Sequence, residues 1–360
     1  MRLLVAGGGT GGHLFPGVAL AQEAMASDPL HAVLFVGTAQ GLEGRLVPKA
    51  GFALRLIRAS GIKGLGPRGA ARAIVTIPRG IAQSIGILRE FRPDVVVGVG
   101  GYASGPVLLA AALLGLPRAV IEPNAIPGIT NRFLGRIVRE VYVAWEETAS
   151  RFPAGKAIVT GNPIRREMIA PVRRAREAGA PFSILVFGGS QGARRINQTV
   201  VASLGALGKD AETMAFAHQT GAADLAEVRA AYAGRGLRAE VAPFFDDMGA
   251  RYAAADLVIC RAGATTVAEL SAAGKASILI PFPYAADDHQ AANARVLERA
   301  GGARVILERD LRPEGLAAAI REIAGTPGLA SEMGARARAA GKPEAARVIL
   351  DRLTALAARR

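Results

Sequence analysis

Along the chain, short β-rich, largely apolar runs alternate with longer helical stretches. The runs at 3–6, 32–36, 54–57, 94–97, 119–121, 141–143 and 157–160 have the length and β-branched content of buried strands, and helical segments such as 16–26 and 105–116 lie between them. That rhythm predicts a parallel sheet with crossover helices. After Gly161-Asn162-Pro163 and a basic stretch at 165–176 it restarts, with runs at 183–187, 213–217, 238–242, 256–259, 277–280 and 303–306. The last helical segment, 343–358, has no strand after it and is expected to pack back on the first series. Each series opens as strand, glycine loop, helix. The prediction is an α/β chain of two doubly wound, Rossmann-like domains, 1–161 and 162–340, with 341–360 returning to the first. Such sheets bind ligands outside the carboxyl ends of their strands, so the chemistry is expected there, in a cleft that both domains face.

Composition narrows the class. The chain has 360 residues, 51% hydrophobic and 21% charged, with a mean hydropathy of +0.27, which is globular rather than disordered. Lys and Arg number 44 against 30 Asp and Glu, and the formal charge of +14 calls for polyanions, an anionic membrane or anionic substrates. With 12 Phe, 5 Tyr and 1 Trp, base-stacking platforms are thin and no nucleic acid is expected. Cys260 is the only cysteine and residues 1–20 show no charged leader with an apolar run, which predicts a reducing, cytoplasmic setting. The longest glycine-free apolar tract, 107–114, is far short of the roughly 20 residues of a spanning helix, so membrane contact is expected to be peripheral.

The loops carry the candidate chemistry. Gly7-Gly8-Gly9-Thr10-Gly11-Gly12-His13 lies between a strand and a helix, and Gly7, Gly9 and Gly12 have the spacing of a dinucleotide fingerprint. The acidic residue that would hold a ribose about 20 residues on is missing, because the second strand ends Phe35-Val36-Gly37-Thr38. What the loop does offer is backbone N–H groups at Thr10, Gly11 and Gly12 for a ligand at a helix start. His13 stands beside them as an imidazole that can take a proton at neutral pH, or as a histidine bonded to backbone. Gly100-Gly101-Tyr102 through Pro106, then Glu122-Pro123-Asn124 and Asn131, bring further polar groups to the same sheet edge.

In the second half, Gly188-Gly189-Ser190-Gln191-Gly192 offers Ser190 and a helix start to a phosphate. Its spacing also fits a hydrolase nucleophile elbow, with Asp256 and His289 as nominal partners. Arg261-Ala262-Gly263-Ala264-Thr265 directs backbone donors at Ala264 and Thr265 toward an anion, and Glu269, one turn deeper, can accept two ribose hydroxyls. Asp287-Asp288-His289-Gln290 with Asn293 can read sugar hydroxyls, or cap a helix through an aspartate. There is no His-Glu-x-x-His, cysteine pair or Asp-x-Asp, so neither a metal nor a cofactor is expected and helix starts must hold any diphosphate.

As a set, Gly8 to His13 with Phe15-Pro16-Gly17, Gly100-Gly101-Tyr102 with Ser104-Gly105-Pro106, Gly161-Asn162-Pro163 with Arg165, Gly188 to Ala193, and Arg261 to Glu269 resemble the MurG family of lipid II-forming glycosyltransferases. The resemblance runs from residue 3 to about residue 307. It implies a GT-B fold, with an N-terminal acceptor domain and a C-terminal donor domain. The implied reaction is an inverting, metal-independent transfer of N-acetylglucosamine from UDP-N-acetylglucosamine to undecaprenyl-diphospho-muramoyl-pentapeptide. Carried over by position, Phe244 and Phe245 pass the uracil along their backbone with Met248 nearby. Ser190 and Arg165 meet the diphosphate, Glu269 the ribose, and Gln290 with Asn293 the N-acetylglucosamine. His13, Tyr102, Glu122, Asn124 and Asn131 face the acceptor, with His13 as first and Glu122 as second candidate for the base. Pro123 stands where the family usually carries glutamine, and His289 where some members do. The rival readings are a UDP-N-acetylglucosamine 2-epimerase, another GT-B lipid glycosyltransferase, and a regulator that binds the nucleotide sugar without turnover.

A lipid acceptor also implies a place at the cytoplasmic face of the inner membrane. Between residues 58 and 92, Arg58, Lys63, Arg68, Arg72, Arg79, Arg89 and Arg92 stand against Glu90 alone, interleaved with isoleucines. That pattern reads either as a patch for anionic lipid or as an amphipathic helix whose isoleucines face the core.

Overall fold

The computed structural model describes residues 1–9, 11–59, 67–169, 179–189 and 192–359, and of residues 67–75 and Ala286 the backbone alone. The chain divides into two compact units, Met1–Arg166 with Lys342–Arg360, and Glu167–Gly341. In the first, β1 (Arg2–Ala6), β2 (Ala32–Gly37), β3 (Ala53–Leu56), β4 (Val95–Gly98), β5 (Arg118–Glu122), β6 (Glu140–Val143) and β7 (Ala157–Val159) form one parallel sheet. Among the described residues its order is β3-β2-β1-β4-β5-β6-β7. Alternation along a strand fills both faces: Leu3 and Val5 enter one core, Leu4 and Ala6 the other. The first core is closed by the helices Gly11–Ser27 and Ala345–Ala358, the latter through Ile349, Leu350, Leu353 and Leu356, a helical stripe. The second is closed by Ser104–Leu113 and Pro67–Phe91. Ile81 and Ile85 of Pro67–Phe91 pack against that core, so along the described half of this helix the isoleucines face inward and Arg79 and Arg89 face solvent.

The second unit winds the same way. Its parallel strands β8 (Phe182–Phe187), β9 (Met214–Gln219), β10 (Arg238–Ala242), β11 (Leu257–Cys260), β12 (Ala276–Leu279) and β13 (Ala303–Val305) lie in the order β10-β9-β8-β11-β12-β13. Ile184 and Val186 of β8 pack with Ile196, Val200 and Leu204 of the helix Arg194–Leu207 and with Leu316 and Ile320 of Pro313–Gly325.

In each unit the strand order reverses once, between β1 and β4 and between β8 and β11. Chain leaving two such neighbours turns to opposite faces of the sheet and opens a crevice at their carboxyl ends. The segments there are 7–13 and 99–104 in the first unit, and 188–192 and 261–264 in the second. Among the described residues no helix is long and apolar enough to cross a membrane.

Candidate functional site

In the first unit the two crevice segments interlock through glycine. A Cβ on Gly101 (φ +78°) would collide with the Gly8 carbonyl, and one on Gly100 (φ +94°) with the His13 ring. His13, third residue of Gly11–Ser27, is thereby half-buried against the second segment. The Ser104 hydroxyl locks the pair, donating to the Ala6 carbonyl (2.7 Å) and accepting from the Gly100 N–H (3.0 Å). Beneath the loop lies Glu43, which sequence reading missed. Its carboxylate accepts from the Gly9 N–H (2.8 Å), the Thr38 N–H (2.8 Å) and the Thr38 hydroxyl (2.9 Å), and Cβ atoms on Gly8, Gly37 or Gly41 would run into it. Burial pulls its pKa up, but the bonds from Gly9, Thr38 and its own backbone outweigh that and hold the carboxyl below the usual range. Tyr102 is 51% exposed on the facing segment. Arg165 stacks its guanidinium 4.5 Å from the Phe15 ring centroid, and Phe15 lies against Gly11, so Arg165 belongs to this loop's surroundings. Gly11 and Gly12 begin the helix; Thr10 lies outside the described residues.

Glu122 ends β5 with 1% of its surface exposed. Its Oε1 accepts from the Asn124 N–H (2.9 Å) and Nδ2 (3.1 Å), and its Oε2 from the Gly128 N–H (3.0 Å) and Asn131 Nδ2 (3.0 Å). Burial outweighs these four bonds and pushes its pKa up to about 7. This corrects the expectation of a second base: a covered carboxylate with both oxygens engaged by its own loop orders residues 123–131 rather than meeting substrate. Asn131, 3% exposed, also donates to the Ile121 carbonyl (3.1 Å), so it too works from beneath. The donors to Glu122 come from Asn124, Gly128 and Asn131, so this tie does not draw on the backbone of Pro123.

In the second unit Ser190 and Gln191 lie outside the described residues, while Gly188, Gly189 and Gly192 frame their loop. A second residue that sequence reading missed, Gln219, donates from Nε2 to the Gly189 carbonyl (3.0 Å) and accepts at Oε1 from the Phe245 N–H (2.9 Å). Phe245 is buried with Arg251 over its ring at 4.3 Å, Phe244 is 51% exposed, and Met248 begins the helix Met248–Ala254. The helix Ala264–Ala273 starts after Gly263, so its amino end, at Ala264 and Thr265, follows directly on the crevice segment. Glu269, 8% exposed, accepts from the Tyr252 hydroxyl (3.1 Å).

Gln290 Oε1 accepts from the Phe282 N–H (3.0 Å). Asn293 departs from expectation. It is fully buried and donates to the Ala262 carbonyl (3.3 Å), so it holds the 261–264 segment and presents no surface to a sugar. Asp288 precedes His289–Arg299 in a left-handed conformation and makes no side-chain capping bond. The hydrolase alternative fails on geometry: Asp256 accepts from the Ser183 N–H (2.9 Å) at the amino edge of the sheet, opposite the loop that carries Ser190. His218 is buried between Asn197 and Tyr232, and burial pushes its pKa down to about 3, a neutral structural imidazole.

Comparison with known proteins agrees across both units. The glycosyltransferase family 28 N-terminal domain matches residues 3–143 and the family's C-terminal domain residues 183–349. A Myxococcus xanthus protein is 51% identical over 351 residues, covering 98% of this chain and 92% of that one. It is named UDP-N-acetylglucosamine–N-acetylmuramyl-(pentapeptide) pyrophosphoryl-undecaprenol N-acetylglucosamine transferase. The crystal structure of Acinetobacter baumannii MurG superposes with a TM-score of 0.80 at 32% identity, covering 98% of this chain and 99% of that one. A UDP-GlcNAc 2-epimerase from Neisseria meningitidis, bound to UDP-GlcNAc, reaches a TM-score of 0.68 at 13% identity over 99% of this chain and 100% of that one, a likeness of fold alone.

Proposed function

This chain belongs to glycosyltransferase family 28, in its MurG group, with the GT-B fold, and from that premise we propose that it transfers N-acetylglucosamine from UDP-N-acetylglucosamine to the C4 hydroxyl of an undecaprenyl-diphospho-N-acetylmuramoyl-pentapeptide. The observation that carries this reading is a likeness of 51% identity spanning both units and nearly the whole of the named relative. The acceptor oxygen attacks the anomeric carbon, the bond to the UDP oxygen breaks with inversion, and a base takes the hydroxyl proton. His13 is that base, held against Gly100 at the crevice of the first unit. Tyr102 and Asn124 meet the acceptor, while Glu122 and Asn131 keep the 123–131 loop in shape.

The second unit holds the donor. Ser190 and the start of Ala264–Ala273, with Thr265, take the diphosphate, and a helix start stabilises the charge that grows on it as the bond breaks. Glu269 takes the ribose hydroxyls, the Phe245 backbone and Met248 the uracil, and Gln290 the sugar, with Asn293 acting through the 261–264 segment. In the first unit, Thr10, Gly11, Gly12 and Arg165 are the further groups that this reading assigns to the anionic donor. The test is UDP release from UDP-N-acetylglucosamine with and without a muramoyl lipid diphosphate. Release only with acceptor, and a disaccharide lipid as product, is expected; conversion of free nucleotide sugar without acceptor would replace this reading with the isomerase.

We place the chain peripherally at the cytoplasmic face of the inner membrane, on an anionic surface. On the helix Ile129–Ile137, Ile129 (65% exposed) and Phe133 (52% exposed) stand one turn apart with Arg132 and Arg136 exposed beside them. That combines apolar insertion with attraction to anionic headgroups. Sedimentation with anionic but not neutral vesicles, lost in the double variant Arg132→Glu, Phe133→Asp while UDP binding persists, is expected. Binding that survives in that variant removes this face as the anchor.

A further inference from the structure

Gln219 ends β9, and the sheet order β10-β9-β8 sets it between the last residues of two loop-bearing strands: Phe187 of β8 and Ala242 of β10 are its register partners. From Phe187 the chain enters the loop at 188–192, and from Ala242 the segment that carries Phe245. The Gln219 side chain is 3% exposed and engages one of these with each end of its amide, the Gly189 carbonyl through Nε2 and the Phe245 N–H through Oε1. A single amide supplies donor and acceptor together at this reach; an ionised glutamate keeps only the acceptor and a leucine neither. The residues that follow repeat the bridge in backbone. The Thr220 N–H donates to the Ala242 carbonyl and the Gly221 N–H to the Pro243 carbonyl, and Gly192 lies so near Thr220 that a Cβ would strike its carbonyl.

We propose that Gln219 is a positioning residue that couples recognition of the nucleobase to binding of the diphosphate, an inference that rests on reading this unit as the donor site. Shifting either segment alone breaks a buried hydrogen bond, so the spacing between the Phe245 backbone and the Gly189 turn is set before the nucleotide arrives. A nucleotide whose base fits badly then loses phosphate contacts as well as base contacts.

The test is calorimetry with UDP and with ADP on the full chain, in wild type, Gln219→Leu and Gln219→Glu. Gln219→Leu should weaken UDP about tenfold or more and shrink the preference for UDP over ADP, with KM for the lipid acceptor unchanged. Gln219→Glu retains the bond from Phe245 and loses the one to Gly189, so the bridge is broken at one end. Its UDP affinity should fall and its preference for UDP over ADP should shrink, though less than in Gln219→Leu, where the Phe245 segment is released as well; it carries the test should the leucine variant not fold. Folded variants with wild-type UDP affinity and base preference overturn the proposal, as does a Gln219→Glu chain that keeps the full wild-type base preference. Wild type that binds no UDP overturns the donor reading itself and this inference with it.

Discussion

The two glycine loops occupy equivalent places in their sheets, yet the first is tied from below by a carboxylate, Glu43, and the second by an amide, Gln219. The chemistry of the tie matters to what each loop can hold. A buried anion at Glu43 takes the Gly9 N–H and offsets part of the positive field at the helix start beside it. A neutral amide at Gln219 adds no charge beneath the second loop. Two copies of one winding thus differ in local electrostatics through one side chain each.

The strongest way to break this comparison is at the base. His13→Ala should lower kcat by about 10²–10⁴, the usual worth of a positioned proton acceptor, with UDP affinity unchanged. Turnover near wild type in a folded variant would leave the first loop with no chemical role. Next is the tie itself: Glu43→Ala strips a buried carboxylate from three donors and should cost about 3 kcal/mol or more of stability, given about 1.5–3 for each bond to a charged group. The single tryptophan, Trp145, lies in the first unit, so urea unfolding followed by its fluorescence reads this loss where it occurs. On the other side, Glu269→Ala should weaken UDP binding by about 2 kcal/mol in calorimetry, with acceptor KM unchanged. Equal UDP affinity would move the ribose site elsewhere.

The smallest effect sharpens the contrast through pH. Glu122 has a raised folded pKa of about 7, so the first unit binds the extra proton and its stability should fall as pH rises from the ordinary carboxylate range through 7. His218 has a lowered folded pKa of about 3, so the second unit should instead lose stability as pH falls below the ordinary histidine range. Tryptophan-monitored midpoints across pH 5–8 should flatten in Glu122→Gln relative to wild type; an unchanged profile would show that Glu122 titrates normally.

Most of the fold was legible, because a strand buried on both faces announces itself as an apolar run, as Val95-Val96-Val97 does in β4. The observed strands differ from the runs only at their ends, and even the edge strand β10, with Arg238 and Glu240, coincides with 238–242. The loops at the carboxyl edges were legible for the same reason, as glycines following such runs. Glu43 and Gln219 were not, since each partners backbone of a segment that is distant in sequence, and no spacing rule marks an acceptor of that kind. The glycines at 37 and 41 around Glu43 were the available signal, as positions where a side chain would fill its space. Glu122 and Asn293 show the opposite difficulty: polar residues near a sheet edge look available in sequence, whereas in the structure they are covered and bonded to the loops beside them.

The helix Ala345–Ala358 completes the core of the unit in which the chain begins, while Glu167–Gly341 is continuous. Synthesis from the amino end therefore inverts the order of folding. The second unit has all its residues as soon as Gly341 leaves the ribosome, whereas the first must wait, one face of its sheet covered only in part by Gly11–Ser27, for Ile349, Leu350, Leu353 and Leu356. A chain truncated after Gly341 should be protease-resistant across 182–340 and cleavable across 1–166, the half made first being the last to close.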